Sequence, residues 1–478
     1  MMLFRRTLLP LAVILSLTSC AIAPAYHKPA APKVLSYLPA NEKLSVPNDK
    51  APVTEPGKKI PPAWWQTFNS NELNRFIQLA VRHNPNIAAT SEALAVAQEN
   101  LQAAEGIFYP QVSGNLGAER SRDSGAGLGT GSPKVYSLYT GTVSVSYSPD
   151  IFGLNHLIAS EGIAQVDIAS DQLDAARLTL EGNVAQTYFD LAATVEKIQI
   201  IRKTISEELA ILKLVKTRFK YGSVSDLDVA SQEAVLANSR AQLPSLLQRK
   251  DVDEHLLAIY TGKFPSEIKF FTTPNLDLLN PPTRLPLRVP SMLVRARPDI
   301  RAGEASLRAA NAKVGIAVAS MYPDFTLSAD YGGKGANIPS LFDPAGRIWS
   351  LAANLAAPIF EGGTLLAEKR AAQAAYRGVF DQYRSISLEA FRQVADVLQA
   401  LEHDAETLAA DRAALEAAKN VYLLAKVQYE QGSIDQLALL NSESQYQTAK
   451  LTFVSAKQNR LDDSVAYFVA MGGGDGAQ

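Results

Sequence analysis

Cysteine is nearly missing from this chain: there is one in 478 residues, accompanied by five scattered histidines. That scarcity excludes a disulfide framework and speaks against a Cys/His metal site. A charge excess is missing too. Lys and Arg number 46 against 48 Asp and Glu, the formal net charge is −2 and the pI is about 6.3, so no basic face is available for nucleic acid. Mean hydropathy is −0.03, too polar for a bundle of membrane-spanning helices. No phosphate-binding Gly-rich loop, dinucleotide fingerprint after a strand, Gly-x-Ser-x-Gly or His-Glu-x-x-His occurs. The sequence therefore predicts no enzyme, no cofactor and no metal, and most of its carboxylates read as solvated helix surface.

What is present begins with an address. Arg5 and Arg6 precede an apolar run over residues 7–17, too short to remain as a spanning helix. Leu17-Thr18-Ser19-Cys20 closes it, and Cys20 is the sole cysteine. The pattern resembles a bacterial lipobox, in which the thiol takes a diacylglycerol and the freed amine an acyl chain. More than one acyl chain gives stable anchoring. Ala21, where an Asp would resemble an inner-membrane retention signal, favours the outer membrane.

The body is an internal duplication with an offset of about 210 residues. Pro85-Asn86-Ile87 answers Pro298-Asp299-Ile300, and Phe108-Tyr109-Pro110 answers Met321-Tyr322-Pro323. Pro149-Asp150-Ile151-Phe152-Gly153 answers Pro358-Ile359-Phe360-Glu361-Gly362, and Tyr221-Gly222-Ser223 answers Gln431-Gly432-Ser433. The expected division is residues 1–19 as signal peptide, 20–62 as lipid-anchored tether, 63–262 as first copy, 263–290 as an irregular connector, 291–471 as second copy and 472–478 as flexible tail.

After each Tyr-Pro the period changes from helical to two. Val112, Gly114, Leu116 and Ala118 alternate with polar neighbours, and Tyr139, Val143, Val145 and Tyr147 with Thr140, Thr142, Ser144 and Ser146. The second copy repeats this in Phe325, Leu327, Ala329, Tyr331 and in Trp349, Leu351, Ala353, Leu355. Such strands, of about 9–12 residues, suit a transmembrane β-barrel. Four strands cannot close a ring, since the smallest single-chain barrels have about eight, so a spanning role requires oligomers.

Each strand pair is followed by a Pro-free run, over residues 155 to about 220 and 364 to about 430. At about 1.5 Å per residue, such a helix is a rod of about 100 Å. The apolar series Leu173, Ala176, Leu180, Val184, Tyr188, Leu191, Val195, Ile198, Ile201, Ile205, Leu209, Leu212, Val215, Phe219 steps by about 3.5 residues, a left-handed coiled-coil seam. Gly222 and Gly432 end the rods, and shorter helices return, capped by Ser225 or Asp226 and by Asp435. Asp226, Asp228 and Asp435 thus lie near the turns. In a symmetric ring they would form an acidic mouth favouring cations; the alternative is helix capping.

The stretch Pro290-Ser291-Met292-Leu293, Arg297-Pro298-Asp299-Ile300-Arg301, Glu304-Ala305, Leu307, Ala309-Ala310, Asn311-Ala312 and Tyr322-Pro323 resembles the signature of TolC-like outer-membrane efflux proteins, in the lipoprotein branch that includes OprM. Trp64-Trp65, Phe68 and Leu73 match its N-terminal pattern, and Gly472-Gly473-Gly474 its C-terminal one. The resemblance implies a mainly helical homotrimer, with a barrel of about 12 strands, four per chain, in the outer membrane and a helical tunnel through the periplasm. It implies a periplasmic adaptor and an inner-membrane pump, commonly of the resistance-nodulation-division class, as partners. It also places carboxylates after the turn glycine: Asp435 lies near such a position, while Asn441 stands where relatives carry Asp. The expected function is a passive efflux duct. The alternatives are a conduit for type I protein secretion and a periplasm-spanning structural lipoprotein without a pore.

Overall fold

The computed structural model describes residues 24–30, 34, 36–38, 52–124, 133–270 and 274–474. Cys20 and the signal segment lie outside the described residues. The elements are β1 (Val53–Pro56), α1 (Asn71–His83), α2 (Pro85–Glu105), β2 (Gln111–Asp123), β3 (Lys134–Tyr147), α3 (Leu154–Lys220), α4 (Asp226–Tyr260), β4 (Arg284–Leu287), α5 (Pro290–Ala296), α6 (Pro298–Ala319), β5 (Asp324–Gly335), β6 (Arg347–Ala356), α7 (Thr364–Glu430) and α8 (Gln436–Ala470), with short 3-10 turns between some of them. The series α2-β2-β3-α3-α4 recurs as α6-β5-β6-α7-α8. Helices α3 and α7 have 67 residues each, and α4 and α8 have 35 each. Pro244 sits inside α4, where it removes one i→i−4 hydrogen bond without ending the helix.

Two compact units divide the chain, and each draws on both copies. The strand-bearing unit comprises residues 93–170 and 302–384 with tether residues 24–29. Its sheet has the order β2-β3-β5-β6, antiparallel throughout. The middle pairing, β3 with β5, joins the two copies, so neither copy forms this sheet alone. Helix α6 is tied to α3 here by Arg308–Asp167 at 2.7 Å and Lys313–Glu161 at 3.3 Å.

The helical unit comprises residues 171–301 and 385–474 with the described part of 30–92. Its core gathers around Trp64, which stacks on Phe468 at 5.1 Å, and Phe68, edge-on to Phe189 at 4.9 Å. Trp64 is fully buried and its indole N–H donates to Glu181 at 3.2 Å, whereas Trp65 is half-buried. Ser70 caps α1, accepting from the Leu73 amide, while Asn69 takes the left-handed conformation before it.

Two expectations change. The tether and the connector are not wholly irregular: β1 and β4 pair in parallel, with Val53 opposite Arg284 and Pro56 opposite Leu287. Four-residue strands rich in Pro carry no periodic signal, so only pairing reveals them. The seam of α3 holds at Ile198, Ile201, Leu212 and Val215 but shifts by one residue between Ile201 and Leu212. Thr204 and Glu208 are each 1% exposed, whereas Leu209 is 41% exposed. The buried stripe here is therefore Ile201, Thr204, Glu208, Leu212 and Val215, spaced by three or four residues as in a coiled-coil seam. The apolar neighbour Leu209 masks a carboxylate in a core position.

Candidate functional site

In the strand-bearing unit the register sorts side chains by face. Val112, Val145, Ala329 and Leu351 lie opposite one another across the four strands, and Gly114, Val143, Tyr331 and Trp349 form the next row but one. These belong to one face, with Leu327 on it two residues from Ala329. Leu116, Leu351, Trp349 and Val112 on this face are more than two-thirds exposed. An isolated water-soluble sheet has no reason to hold that much apolar surface open. The row between is polar: Ser113, Ser144, Asp330 and Ser350. Ser144 donates to one carboxylate oxygen of Asp330 at 2.5 Å and Ser350 to the other at 2.7 Å. Ser328 shares this polar face. The outer sides of β2 and β6 carry no ladder among the described residues. Strands of 13 and 10 residues with free edges are templates for pairing with another chain.

In the helical unit, α3 turns into α4 and α7 into α8 by the same motif. The Ser223 amide donates to the Arg218 carbonyl and the Gly222 amide to Phe219; Ser433 and Gly432 do likewise to Gln428 and Tyr429. Gly222 and Gly432 sit at φ of 71° and 75°, the left-handed conformation this helix stop demands. The caps are then settled. Ser225 caps α4, accepting from the Asp228 amide, and the Ser225 amide in turn donates to the Asp228 carboxylate at 2.8 Å. Asp226 is the first helical residue and is not the cap. In the second copy Asp435 is the cap, accepting from the Ala438 amide at 2.8 Å. Asp226 and Asp435 are exposed and Asp228 is half-buried. The turns also expose Tyr221, Leu227 and Leu437.

The turns belong to one unit, and polar bonds join them. The Gln436 amide donates to the Gln232 carbonyl oxygen at 2.9 Å, and both side chains are buried. The Arg218 guanidinium lies over the Tyr429 ring, 4.8 Å from its centroid. Behind them lie Glu208 on α3 and Glu443 on α8, which the sequence reading did not single out. Each is 1% exposed. Their signal is a heptad core position, as at Leu439, Ser442, Glu443 and Tyr446, occupied by acid. Burial, then Glu208 and Glu207, push the Glu443 carboxyl up to about 7. Burial likewise raises Glu181 to about 7, and Asp462 to about 8 with help from Asp190.

Among the described residues no group of His, Cys, Asp and Glu could hold a metal ion, and no helix is long and apolar enough to cross a membrane.

The family model for outer membrane efflux proteins matches residues 76–263 and 289–473. The pyoverdine export outer membrane protein OpmQ of Pseudomonas aeruginosa is 30% identical over 416 residues, covering 86% of this chain and 87% of that protein. The toluene efflux pump outer membrane protein TtgF of Pseudomonas putida is 27% identical over 477 residues, covering 98% and 96%. The fold is that of the outer-membrane channel OprN, with a TM-score of 0.87 and 23% identity over 95% of this chain and 99% of that one. A chain with this repeated helix-strand plan and this family match over both copies belongs to the outer membrane efflux protein family.

Proposed function

We propose that this chain is the outer-membrane channel-tunnel of a tripartite efflux system, a passive duct that performs no covalent chemistry. The observation that carries the reading is the sheet: one exposed apolar face, one polar face, and two free edges. In a bilayer core unpaired backbone groups cost several kcal/mol each, about 2–7 in apolar media, so such a sheet must close on other copies. Three chains of four strands give a barrel of about 12, with Val143, Val145, Leu327 and Leu351 toward lipid and Ser144, Ser328 and Ser350 toward a water-filled lumen. The helix pairs α3–α4 and α7–α8 form the periplasmic tunnel, and their turns form its aperture and the contact for the adaptor. The adaptor links the duct to an inner-membrane pump of the resistance-nodulation-division class. A water-filled duct discriminates weakly, so the pump selects the exported small molecule.

The same reading places a diacylglycerol and an acyl chain on Cys20. In support, the chain just beyond it is seated on α6: the Asn311 amide donates to the Pro24 carbonyl at 3.1 Å and Lys28 pairs with Glu304 at 2.8 Å. Native mass spectrometry of protein extracted from outer membranes tests both points together. Three chains, each carrying lipid mass that Cys20→Ser removes, is the expected spectrum. A monomer overturns the barrel, and lipid mass persisting in Cys20→Ser overturns the anchor.

A further inference from the structure

Near their turns, the two hairpins of the helical unit are packed differently within and between. Within each, the packing is apolar. Leu212 and Val215 of α3 meet Val229 and Leu236 of α4, and Tyr422, Ala425 and Tyr429 of α7 meet Leu439 of α8. Between them the links are polar: Gln232 with Gln436, Arg218 over Tyr429, and the buried Glu208 and Glu443. Glu208 is partly satisfied, since Ser239 of α4 donates to its Oε1 at 2.7 Å. Its Oε2 and both carboxyl oxygens of Glu443 have no hydrogen-bond partner among the described residues. Burial this deep within one chain is not relieved by adding further chains. Two ionised carboxyls with a single donor between them are intolerable in such a place, whereas a protonated carboxyl brings its own donor.

We propose that Glu208 and Glu443 form a proton-operated latch between the hairpins: a proton on Glu443 keeps α3–α4 packed on α7–α8, and its loss parts them. Applied to the duct proposed above, on which this consequence rests, the aperture loosens as pH rises. Each hairpin keeps its own apolar seam, so the two separate as intact elements. The surrounding charges do not cancel the effect. From α3, Glu207 adds a further negative charge; from α7, Lys426 and, from α8, Lys450 oppose it. Lys450 is held 3.9 Å from the Tyr446 ring centroid, and burial lowers its own pKa; Glu207 and Glu443 pull it up and Lys203 and Lys419 pull it down, and the net direction is downward. On α4, Gln232 and Ser239 are neutral and Glu233 is engaged by Lys216 at 2.6 Å. Burial remains the largest influence, and the Glu443 carboxyl stays near 7. The sign follows. An acid raised above its ordinary value protects the packed state fully below that ordinary value, and the protection is lost as pH climbs through about 7.

The test is the distance between spin labels on Ser223→Cys and Ser433→Cys, both exposed at the turns, in full-length protein reconstituted in nanodiscs, with labelled chains diluted by unlabelled ones. Between pH 5 and pH 8.5 the parent distance should lengthen with a midpoint near 7. Glu443→Gln, an isostere of the protonated acid, should hold the short distance at every pH. Glu208→Gln removes the like charge, so an ionised Glu443 is better tolerated and the short distance should persist to higher pH than in the parent, which keeps the test decisive if Glu443→Gln does not fold. A distance independent of pH in the parent, or a parental profile in either variant, overturns the latch. Loss of the duct reading itself is separate: it is read from conductance at fixed pH, and the distance does not depend on it.

Discussion

Arg297 gives the Arg-Pro-Asp-Ile-Arg stretch its physical meaning. Its buried guanidinium makes a fork to Asp299 at 3.0 and 2.7 Å, reaches Gln393 of α7 at 2.9 Å, and donates at 2.9 Å to the carbonyl of Ala470, the last residue of α8. One side chain thus satisfies an orphan helix-end carbonyl and joins three helices. Arg301 adds ties to Asp171 and Asp174 of α3, each at 2.6 Å. Arg297→Ala should cost about 2–4 kcal/mol, because a buried carbonyl and a carboxylate lose their donor together. Urea unfolding followed by circular dichroism checks this; a midpoint equal to the parent's would reduce the motif to a surface feature. At the turns, Asp435 serves as cap and, in the proposed ring, as mouth charge. Asp435→Ala should remove about 1 kcal/mol of helix-end stability. It should also lower cation over anion permeability in bilayers while leaving trimers intact. Unchanged selectivity would leave Asp435 as a cap alone and turn attention to Asp228 and Asp226.

At the scale of elements, the strands make the sharpest prediction. Single cysteines placed along β3 should alternate in reactivity toward a water-soluble thiol reagent, with Ser144→Cys and Ser146→Cys labelled and Val143→Cys and Val145→Cys protected in membranes. Val143→Arg should cost about 2–4 kcal/mol if that face meets lipid near the midplane. Uniform labelling, or the opposite phase, would contradict the assignment of faces. These elements were legible because their physics is periodic. Alternation announced the strands, absence of proline announced two 67-residue helices, and Gly222 and Gly432 marked their ends. What stayed hidden depends on partners rather than period. The β1–β4 pair consists of short segments about 230 residues apart that acquire meaning only on meeting. The choice of Ser225 over Asp226 as cap turns on one residue of phase and on the reciprocal bond to Asp228. Glu208 is masked in the sequence by the apolar Leu209 beside it, and only burial shows which of the two faces the core.

At the scale of the whole molecule, the account holds that copies of this chain enclose a continuous aqueous path. The chain's local features are serines and Asp330 on one sheet face, apolar side chains on the other, and polar links between the hairpins near their turns. None of these features needs a catalytic group. The duct is passive, so its defining property is conduction without an energy source. The most direct measurement is the ionic current through purified protein inserted in a planar lipid bilayer, with no adaptor and no pump present. The account predicts discrete, reproducible conductance steps, one per trimer, with an ohmic open level and a preference for cations. Folded protein that inserts as a trimer yet passes no current at any voltage or pH would contradict it, and would leave a periplasm-spanning structural lipoprotein as the better description.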